Sequence, residues 1–208
     1  DIGLLSLPLR GKGWATLAID LPAHGERVKP GDKPLPERSL AEIHKIAASA
    51  VVDLRRATDF LATRPEIDSK RLGVIGISLG AILGADFLSQ EPRIKAAALW
   101  SGGADWGTLL TKSDHDLAKQ WRKNGMGDSA EIEKVMADVE PATLLPKAAP
   151  RPLLFLWGDT DTIVPTSCCQ KLFDAAPSPK EKQIIPGGHV PDPLGMAGKS
   201  VIFLEKSL

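Results

Sequence analysis

The segment Gly76-Ile77-Ser78-Leu79-Gly80 is the first part of the sequence that could carry chemistry. It follows an apolar run that is typical of a buried strand, and a helical pattern begins at Leu79. The string alone is a weak signal, but between a strand and a helix it predicts a sharp turn that exposes a nucleophilic hydroxyl. We expect both glycines to be required, because a side chain two positions before or after Ser78 would clash. The N–H of Leu79 could then stabilise an oxyanion.

A serine nucleophile needs a base and an acid that orients the base, and candidates for both follow in the chain. Asp159 and Asp161 come after the predicted strand Pro152 to Trp157, and His189 follows the next predicted strand in a Gly-Gly loop. Parallel strands gather their carboxyl ends at one edge of the sheet, so we expect these side chains to lie near Ser78. The order Ser, Asp, His predicts a catalytic triad.

The elements that must position these residues alternate along the chain. Apolar runs predict strands at Trp14 to Asp20, Leu72 to Ile77, Ile94 to Trp100, Pro152 to Trp157 and Gln183 to Pro186. A helical pattern begins at Leu40, where Ser39 and Glu42 form a capping box. Further helices are predicted at Leu79 to Gln90, Thr166 to Ala176 and Pro193 to Leu208. The alternation predicts a doubly wound, mostly parallel α/β fold that forms one domain over residues 1–208.

A segment from about 104 to 146 interrupts this alternation. Its stretches Leu109 to Asn124 and Ser129 to Val139 look helical and are rich in charged residues, which predicts a small, largely solvated helical cap inserted over Ser78. The apolar residues that could line a substrate pocket under this cap are Trp106, Leu109, Leu110, Trp121 and Met126. Anchoring the cap to the domain is an equally good role for each of them.

Two longer segments resemble the α/β-hydrolase superfamily. The stretch from Asp53 to Gly80 is similar to the serine esterase and dienelactone-hydrolase branches. Asp20-Leu21-Pro22-Ala23-His24-Gly25 is similar to the family's Asp-x-Pro-Gly-His-Gly loop, with Ala23 in place of a glycine. The resemblance covers nearly the whole chain and implies an α/β-hydrolase fold with a nucleophile elbow at Ser78.

The resemblance also implies roles for individual residues. In relatives the acid stands three residues after a glycine that matches Gly158, which assigns Asp161 and leaves Asp159 as a turn residue. Either carboxylate could also be a plain turn cap. Relatives use the histidine that matches His24 structurally.

Relatives of this superfamily carry further strands before the one that matches Trp14 to Asp20, and a loop that donates the second oxyanion N–H. This chain begins at what resembles the helix after that loop, at Leu4 to Arg10. A sheet without a central strand would expose an unpaired edge. We therefore expect N-terminal strands to be missing from this chain and the native protein to include residues before Asp1.

Composition argues against several kinds of partner. Lys and Arg total 26, as do Asp and Glu, so the basic surface that nucleic acid binding requires is not expected. No apolar run approaches the roughly 20 residues that cross a bilayer, so we expect no membrane span and a cytoplasmic protein. Metal-ligand spacings and nucleotide-binding motifs are lacking, which predicts no metal and no cofactor. We expect Cys168 and Cys169 to be buried free thiols, and His44 and His115 to be solvated.

Together these features predict a serine hydrolase that cleaves small carboxylic esters of short to medium acyl chain through an acyl-enzyme. A thioesterase, a peptidase or a dienelactone-type hydrolase could use the same residues, because fold and triad define the mechanism and not the substrate. The alternative from another class is a non-catalytic binding protein of the same fold. Three intact triad residues favour the enzyme. The sequence does not determine the physiological substrate or the oligomeric state.

Overall fold

A computed structural model describes residues 6, 7 and 9–208 of the chain. In this part a parallel sheet has the strand order β1-β2-β3-β4, and each strand pairs with the next one along the chain. The strands are β1 (Leu72–Ile77), β2 (Ile94–Trp100), β3 (Leu153–Gly158) and β4 (Lys180–Ile185). This parallel sheet with flanking helices confirms the predicted fold class, and it places the carboxyl ends of all these strands at one edge.

Helices connect and cover the strands. α1 (Leu40–Ala62) precedes β1, and α2 (Leu79–Gln90) joins β1 to β2. Between β2 and β3 lie α3 (Trp106–Lys112), α4 (Asp116–Lys123), α5 (Ser129–Val135) and α6 (Pro141–Leu144). α7 (Thr166–Ala175) joins β3 to β4, and α8 (Pro193–Ser207) follows β4. Single 3₁₀ turns occur at Gly25–Arg27, Leu35–Glu37, Ala137–Val139 and Leu145–Lys147.

The two faces of the sheet bury alternate residues of the central strands β2 and β3. Leu153 and Phe155 of β3 pack into the larger apolar core, which also holds residues of α1, α2, α7 and the segment between β2 and β3. Leu154 and Leu156 pack on the opposite face, against Met196 of α8. Successive side chains of a strand point to opposite faces, so a run that is apolar throughout is buried on both sides.

The predicted strand at Trp14 to Asp20 is wrong for the described structure. These residues are neither strand nor helix, and Leu17 among them is 43% exposed. A β-strand forms only where a neighbouring strand pairs with it through hydrogen bonds. Among the described residues, no strand pairs with this segment. The predicted helix Leu4 to Arg10 falls partly outside the described residues. Of it, residues 6, 7, 9 and 10 are helical.

The last strand begins three residues before its predicted start at Gln183. Its first residues, Lys180, Glu181 and Lys182, are half-buried or exposed, as suits a strand at the edge of the sheet. Charged side chains protect such an edge from pairing with other chains. Because these residues are charged, an apolar run does not mark the start of the strand, and the prediction therefore began too late.

The start of α1 confirms the predicted capping box. Ser39 Oγ accepts the N–H of Glu42 at 3.3 Å, and Glu42 Oε2 accepts the N–H of Ser39 at 2.7 Å. Glu42 Oε2 also accepts the hydroxyl of Ser39 at 2.8 Å, and the two hydrogen bonds that this carboxylate accepts from Ser39, together with Lys33, lower the pKa of Glu42 to about 2. A charged carboxylate in the first turn also suits the positive end of the helix.

The helices of the segment between β2 and β3 were predicted, but their burial was not. The continuous stretch predicted from Leu109 to Asn124 is broken between α3 and α4. Trp106, Trp121, Ile132 and Met136 are all buried and belong to the larger core. The segment is therefore packed into the core more extensively than a largely solvated cap would be, although most of its charged side chains are exposed.

A carboxyl group without a partner lies inside α2. Asp86 is 1% exposed, and neither of its carboxylate oxygens has a hydrogen-bond partner. Burial raises the pKa of Asp86 to about 8, and the nearby charges of Glu140 and Asp138 act in the same direction. The folded chain thus binds this proton more tightly than the unfolded chain, whose aspartate has a pKa of about 3.9.

Because the folded-state pKa of Asp86 is raised, its contribution to stability is present at low pH and is lost as pH rises from about 4 to about 8. The Asp86→Asn variant should therefore gain unfolding free energy relative to wild type between pH 5 and pH 8, by at least about 1 kcal/mol. Urea unfolding at the two pH values measures the difference. Asp116→Asn, at an exposed carboxylate, is the control. Parallel pH profiles for wild type and Asp86→Asn would contradict the prediction.

Candidate active site

Ser78 occupies a strained turn between β1 and α2. Its φ of 53° and ψ of −120° lie in a region that residues other than glycine rarely adopt. Its N–H donates to Trp100 O at 2.8 Å, and its carbonyl accepts the N–H groups of Ala81 and Ile82. These bonds hold the turn at the edge of the sheet. The N–H of Leu79, the first residue of α2, has no acceptor inside the helix and remains available to an oxyanion.

The two glycines around Ser78 differ in what they do. A Cβ added at Gly76 would lie 2.5 Å from Gly80 O, so only glycine lets the first turn of α2 approach the end of β1. A Cβ added at Gly80 would meet no atom within 4 Å. The expectation that both positions exclude a side chain is therefore correct for Gly76 and wrong for Gly80, which faces open space.

Asp161 and His189 form the closest contact between the predicted site residues. Asp161 Oδ2 lies 2.8 Å from His189 Nδ1, and Asp161 is 3% exposed. Its other oxygen accepts the N–H groups of Ile163 at 2.9 Å and Val164 at 3.0 Å. A carboxylate only accepts, so Nδ1 carries the proton and Nε2 of His189 is left as an acceptor.

Asp159 does not contact His189 and instead joins two loops. Its Oδ1 accepts the N–H of Gly187 at 2.9 Å. Beside it, a Cβ added at Gly158 would lie 1.9 Å from Gly188 O, so the loops after β3 and β4 touch backbone to backbone. The geometry agrees with the turn role that the resemblance implies for Asp159.

The loop that carries His189 crosses over the sheet edge toward Ser78. The N–H of Val190, the next residue, donates to Ser101 Oγ at 3.4 Å. Ser101 directly follows Trp100, whose carbonyl binds the N–H of Ser78. Neighbouring strands lie about 4.8 Å apart, so this contact brings the loop to the strand beside the serine. The described hydrogen bonds include none between Ser78 and His189, as is common before substrate binds.

An apolar pocket of ≈ 240 Å³ opens beside Ser78. Four of the five predicted lining residues, Trp106, Leu109, Leu110 and Trp121, line it. The prediction is wrong for Met126, which lines a separate cavity instead. Sequence reasoning missed the opposite wall, which α1 and α2 supply through Ile43, Ile46, Ala47, Ile82 and Leu83. The apolar face of α1 was visible as a repeat of three and four residues, but a core role explained it equally well.

The segment between β2 and β3 is bonded to the loop of Asp161. Ser113 Oγ donates to Ile163 O at 2.6 Å, and the N–H of Asp114 donates to Thr162 O at 2.9 Å. The pocket wall and the acid loop are thereby joined.

The remaining histidines have structural contacts. His115 is exposed, but its Nδ1 accepts the N–H of Leu117 and it lines the apolar pocket. His44 is not simply solvated as predicted, because its Nε2 lies 2.7 Å from Asp138 Oδ1. His24 Nδ1 donates to Pro22 O at 2.9 Å, which agrees with a structural role. Ala23, where relatives have glycine, adopts a φ of 61°.

The thiols and the described acidic residues offer no further chemistry of their own. Cys168 and Cys169 are free and buried, as predicted, and burial raises the pKa of both thiols. In the part of the chain that the structure describes, no group of three His, Cys, Asp or Glu side chains is arranged to hold a metal ion. None of the helices described combines the length and the apolar character that a bilayer crossing requires.

The fold is that of the α/β-hydrolase superfamily. The model of the prolyl oligopeptidase family matches residues 43–184, more than half of the chain, so the chain belongs to that family. The curated relative Rv2307c of Mycobacterium tuberculosis (strain ATCC 25618 / H37Rv), an uncharacterized protein, is 26% identical over 204 residues. That alignment covers 95% of this chain and 60% of the relative, so the chain spans about three fifths of that protein's length.

Two solved structures share the fold at lower identity. Acetyl xylan esterase 1 from Thermoanaerobacterium sp. JW/SL YS485 superposes with a TM-score of 0.80 at 17% identity, covering 97% of this chain and 68% of its own. A puromycin-hydrolyzing peptidase of Mycobacterium tuberculosis superposes with a TM-score of 0.65 at 22% identity, covering 76% of this chain and 25% of its own.

The contacts of the two aspartates predict different costs of substitution. Asp161→Asn should slow covalent labelling of Ser78 by a serine-directed phosphonate by about 10³ to 10⁴, because the amide stabilises the wrong imidazole tautomer. Asp159→Asn should slow it less than about tenfold, since the amide oxygen can still accept the N–H of Gly187. Labelling rates followed by intact mass measure both. A larger loss in Asp159→Asn would reassign the acid.

Proposed function

We propose that this chain carries the catalytic centre of a serine hydrolase that cleaves small carboxylic esters of short to medium acyl chain. The observation that carries the proposal is the hydrogen bond of 2.8 Å between Asp161 and His189, at the sheet edge where Ser78 stands in its strained turn. A purely structural role for these three residues would not require a half-buried serine in a strained turn beside an open apolar pocket.

The first half of the reaction forms an acyl-enzyme. His189 Nε2 takes the proton of Ser78 as Oγ attacks the carbonyl carbon of the ester. The negative charge that develops on the carbonyl oxygen is stabilised by the N–H of Leu79 at the positive end of α2. When the intermediate collapses, the bond to the alcohol oxygen breaks, and His189 returns the proton to that oxygen.

The second half releases the acid. A water molecule loses a proton to His189 Nε2 and attacks the acyl carbon. The bond to Ser78 Oγ then breaks, and the serine regains its proton from the imidazolium. Asp161 stabilises the charged imidazole in both halves through the proton on Nδ1. No electron transfer is involved. The original proton of Ser78 leaves on the alcohol, a proton from water replaces it, and Ser78 and His189 end in their starting protonation states.

The lining of the pocket favours esters over peptides as substrates. Among the described residues that line it there is no Asp, Glu, Lys or Arg. A free amino terminus or a charged side chain of a peptide would lose its hydration there without gaining a partner. An uncharged acyl chain would gain from burial. The family's name and the solved puromycin-hydrolyzing peptidase make peptidase activity the second candidate.

Substitution of the nucleophile tests the reaction class. Ser78→Ala should abolish hydrolysis of p-nitrophenyl acetate and covalent labelling by a serine-directed phosphonate, because no other group can form the acyl-enzyme. Release of p-nitrophenol and intact mass after labelling are the measurements. An aminoacyl p-nitroanilide, assayed in parallel, tests the peptidase alternative. Labelling that persists in Ser78→Ala at the wild-type rate would reject Ser78 as the nucleophile.

The size of the apolar pocket predicts the preferred acyl length. Across a series of p-nitrophenyl esters, kcat/KM should peak at about two to eight acyl carbons, because each buried CH₂ adds about 0.8 kcal/mol only until the pocket is full. The measurement is initial rate against chain length at low substrate concentration. A rate that keeps rising to long chains, with activation at a lipid interface, would instead indicate a lipase.

A further inference from the structure

A second and larger cavity, of ≈ 680 Å³, lies behind the apolar pocket. This outer cavity is bounded by the loop that leads into α1 and by the end of α4. Its lining is polar as well as apolar and includes Lys33, Arg38 and Asn124. The Nε of Arg38 is buried without a hydrogen-bond partner. Nothing in the proposed reaction uses this space.

The side chain of Trp121 lines both the apolar pocket and the outer cavity. It is 8% exposed, and its Nε1 donates to Leu35 O at 2.8 Å. The next residue of that loop, Pro36, accepts a hydrogen bond of 2.8 Å from Asn124 Nδ2. Leu35 lines the apolar pocket, whereas Pro36 lines the outer cavity. The partition between the two spaces is therefore about one side chain thick, and hydrogen bonds to the loop hold it in place.

We propose that Trp121 is the residue that determines acyl length, since its indole closes the apolar pocket where the outer cavity begins. The inference rests on the proposed ester hydrolysis. With the indole in place, an acyl chain that fills the ≈ 240 Å³ pocket meets a buried and hydrogen-bonded wall. With the indole removed, the same chain continues into the outer cavity.

The physical consequence is a shift in chain-length preference and not a general loss of activity. Each further CH₂ that leaves water should raise kcat/KM about fourfold, up to the new end of the pocket. The polar lining of the outer cavity limits the gain to the first few carbons, because a hydrocarbon chain desolvates Arg38 and Lys33 without bonding to them. The optimum should therefore move by about four carbons.

The experiment compares two tryptophans that line the same pocket. Trp121→Ala should move the optimum of the p-nitrophenyl ester series to longer chains and raise the ratio of kcat/KM for the dodecanoate over that for the butyrate at least tenfold. Trp106→Ala is the matched control. Trp106 is 4% exposed, its Nε1 donates to Val139 O at 2.8 Å, and it does not line the outer cavity. Trp106→Ala enlarges the apolar pocket but leaves the wall toward the outer cavity in place, so it should raise that ratio at least about threefold less than Trp121→Ala does.

Two further variants distinguish the loss of the Trp121 side chain as a pocket wall from the loss of the folded state. Trp121→Phe loses the hydrogen bond to Leu35 but keeps most of the wall, so its profile should stay close to that of wild type. Trp121→Leu keeps apolar volume in the core and is the variant to measure if Trp121→Ala does not fold. Circular dichroism and thermal unfolding confirm that each compared variant is folded. A folded Trp121→Leu with the wild-type profile overturns the inference, as does an equal shift in Trp106→Ala.

A last comparison distinguishes this inference from the proposed function. If wild type hydrolyses no ester in the series, the proposed function has failed. If wild type hydrolyses short esters, depends on Ser78 and shows no shift on substitution of Trp121, only the inference has failed. A series of alkyl acetates in which the alcohol is varied should show no shift. A shift confined to that series would overturn the assignment of the pocket to the acyl chain.

Discussion

The close approach of α2 to the end of β1 is the constraint on which the site depends. Only the absence of a Cβ at Gly76 allows it, because an added carbon would overlap the backbone of Gly80. This approach forces Ser78 to a positive φ and directs the start of α2 toward the place where an oxyanion would form. The strain is localised at a residue whose hydrogen bond to Trp100 O anchors the turn to the neighbouring strand.

A second coupling links the pocket to the acid. The loop after β3 holds Asp161 through two backbone N–H groups, and carbonyls of the same loop accept hydrogen bonds from Ser113 and Asp114. The segment that lines the pocket is thus hydrogen-bonded to the same loop that holds Asp161 against His189. Movement of that wall would disturb the acid loop, since the two are bonded through the same few residues. The shape of the apolar pocket and the position of Asp161 beside His189 are therefore not independent.

Three of the predictions that failed share a cause. Trp14 to Asp20 has the composition of a strand, but pairing needs a neighbour that composition does not reveal. The edge strand β4 has the pairing without the apolar pattern. His44 was expected to be solvated, whereas its partner Asp138 lies 94 positions away in the chain. In each case a distant residue decided the outcome.

The sequence by itself determined the order of the core strands, the helices that flank them and the triad candidates, because these follow from local periodicity, from the turn at Ser78 and from strand ends that meet at one edge. The choice of Asp161 over Asp159 at His189 required the tertiary structure, since both carboxylates follow the same strand and only loop packing separates them. The position of Trp121 between two cavities was also decided only by the tertiary structure. Cavities are bounded by residues that are far apart in the chain, and no local pattern encodes their common wall.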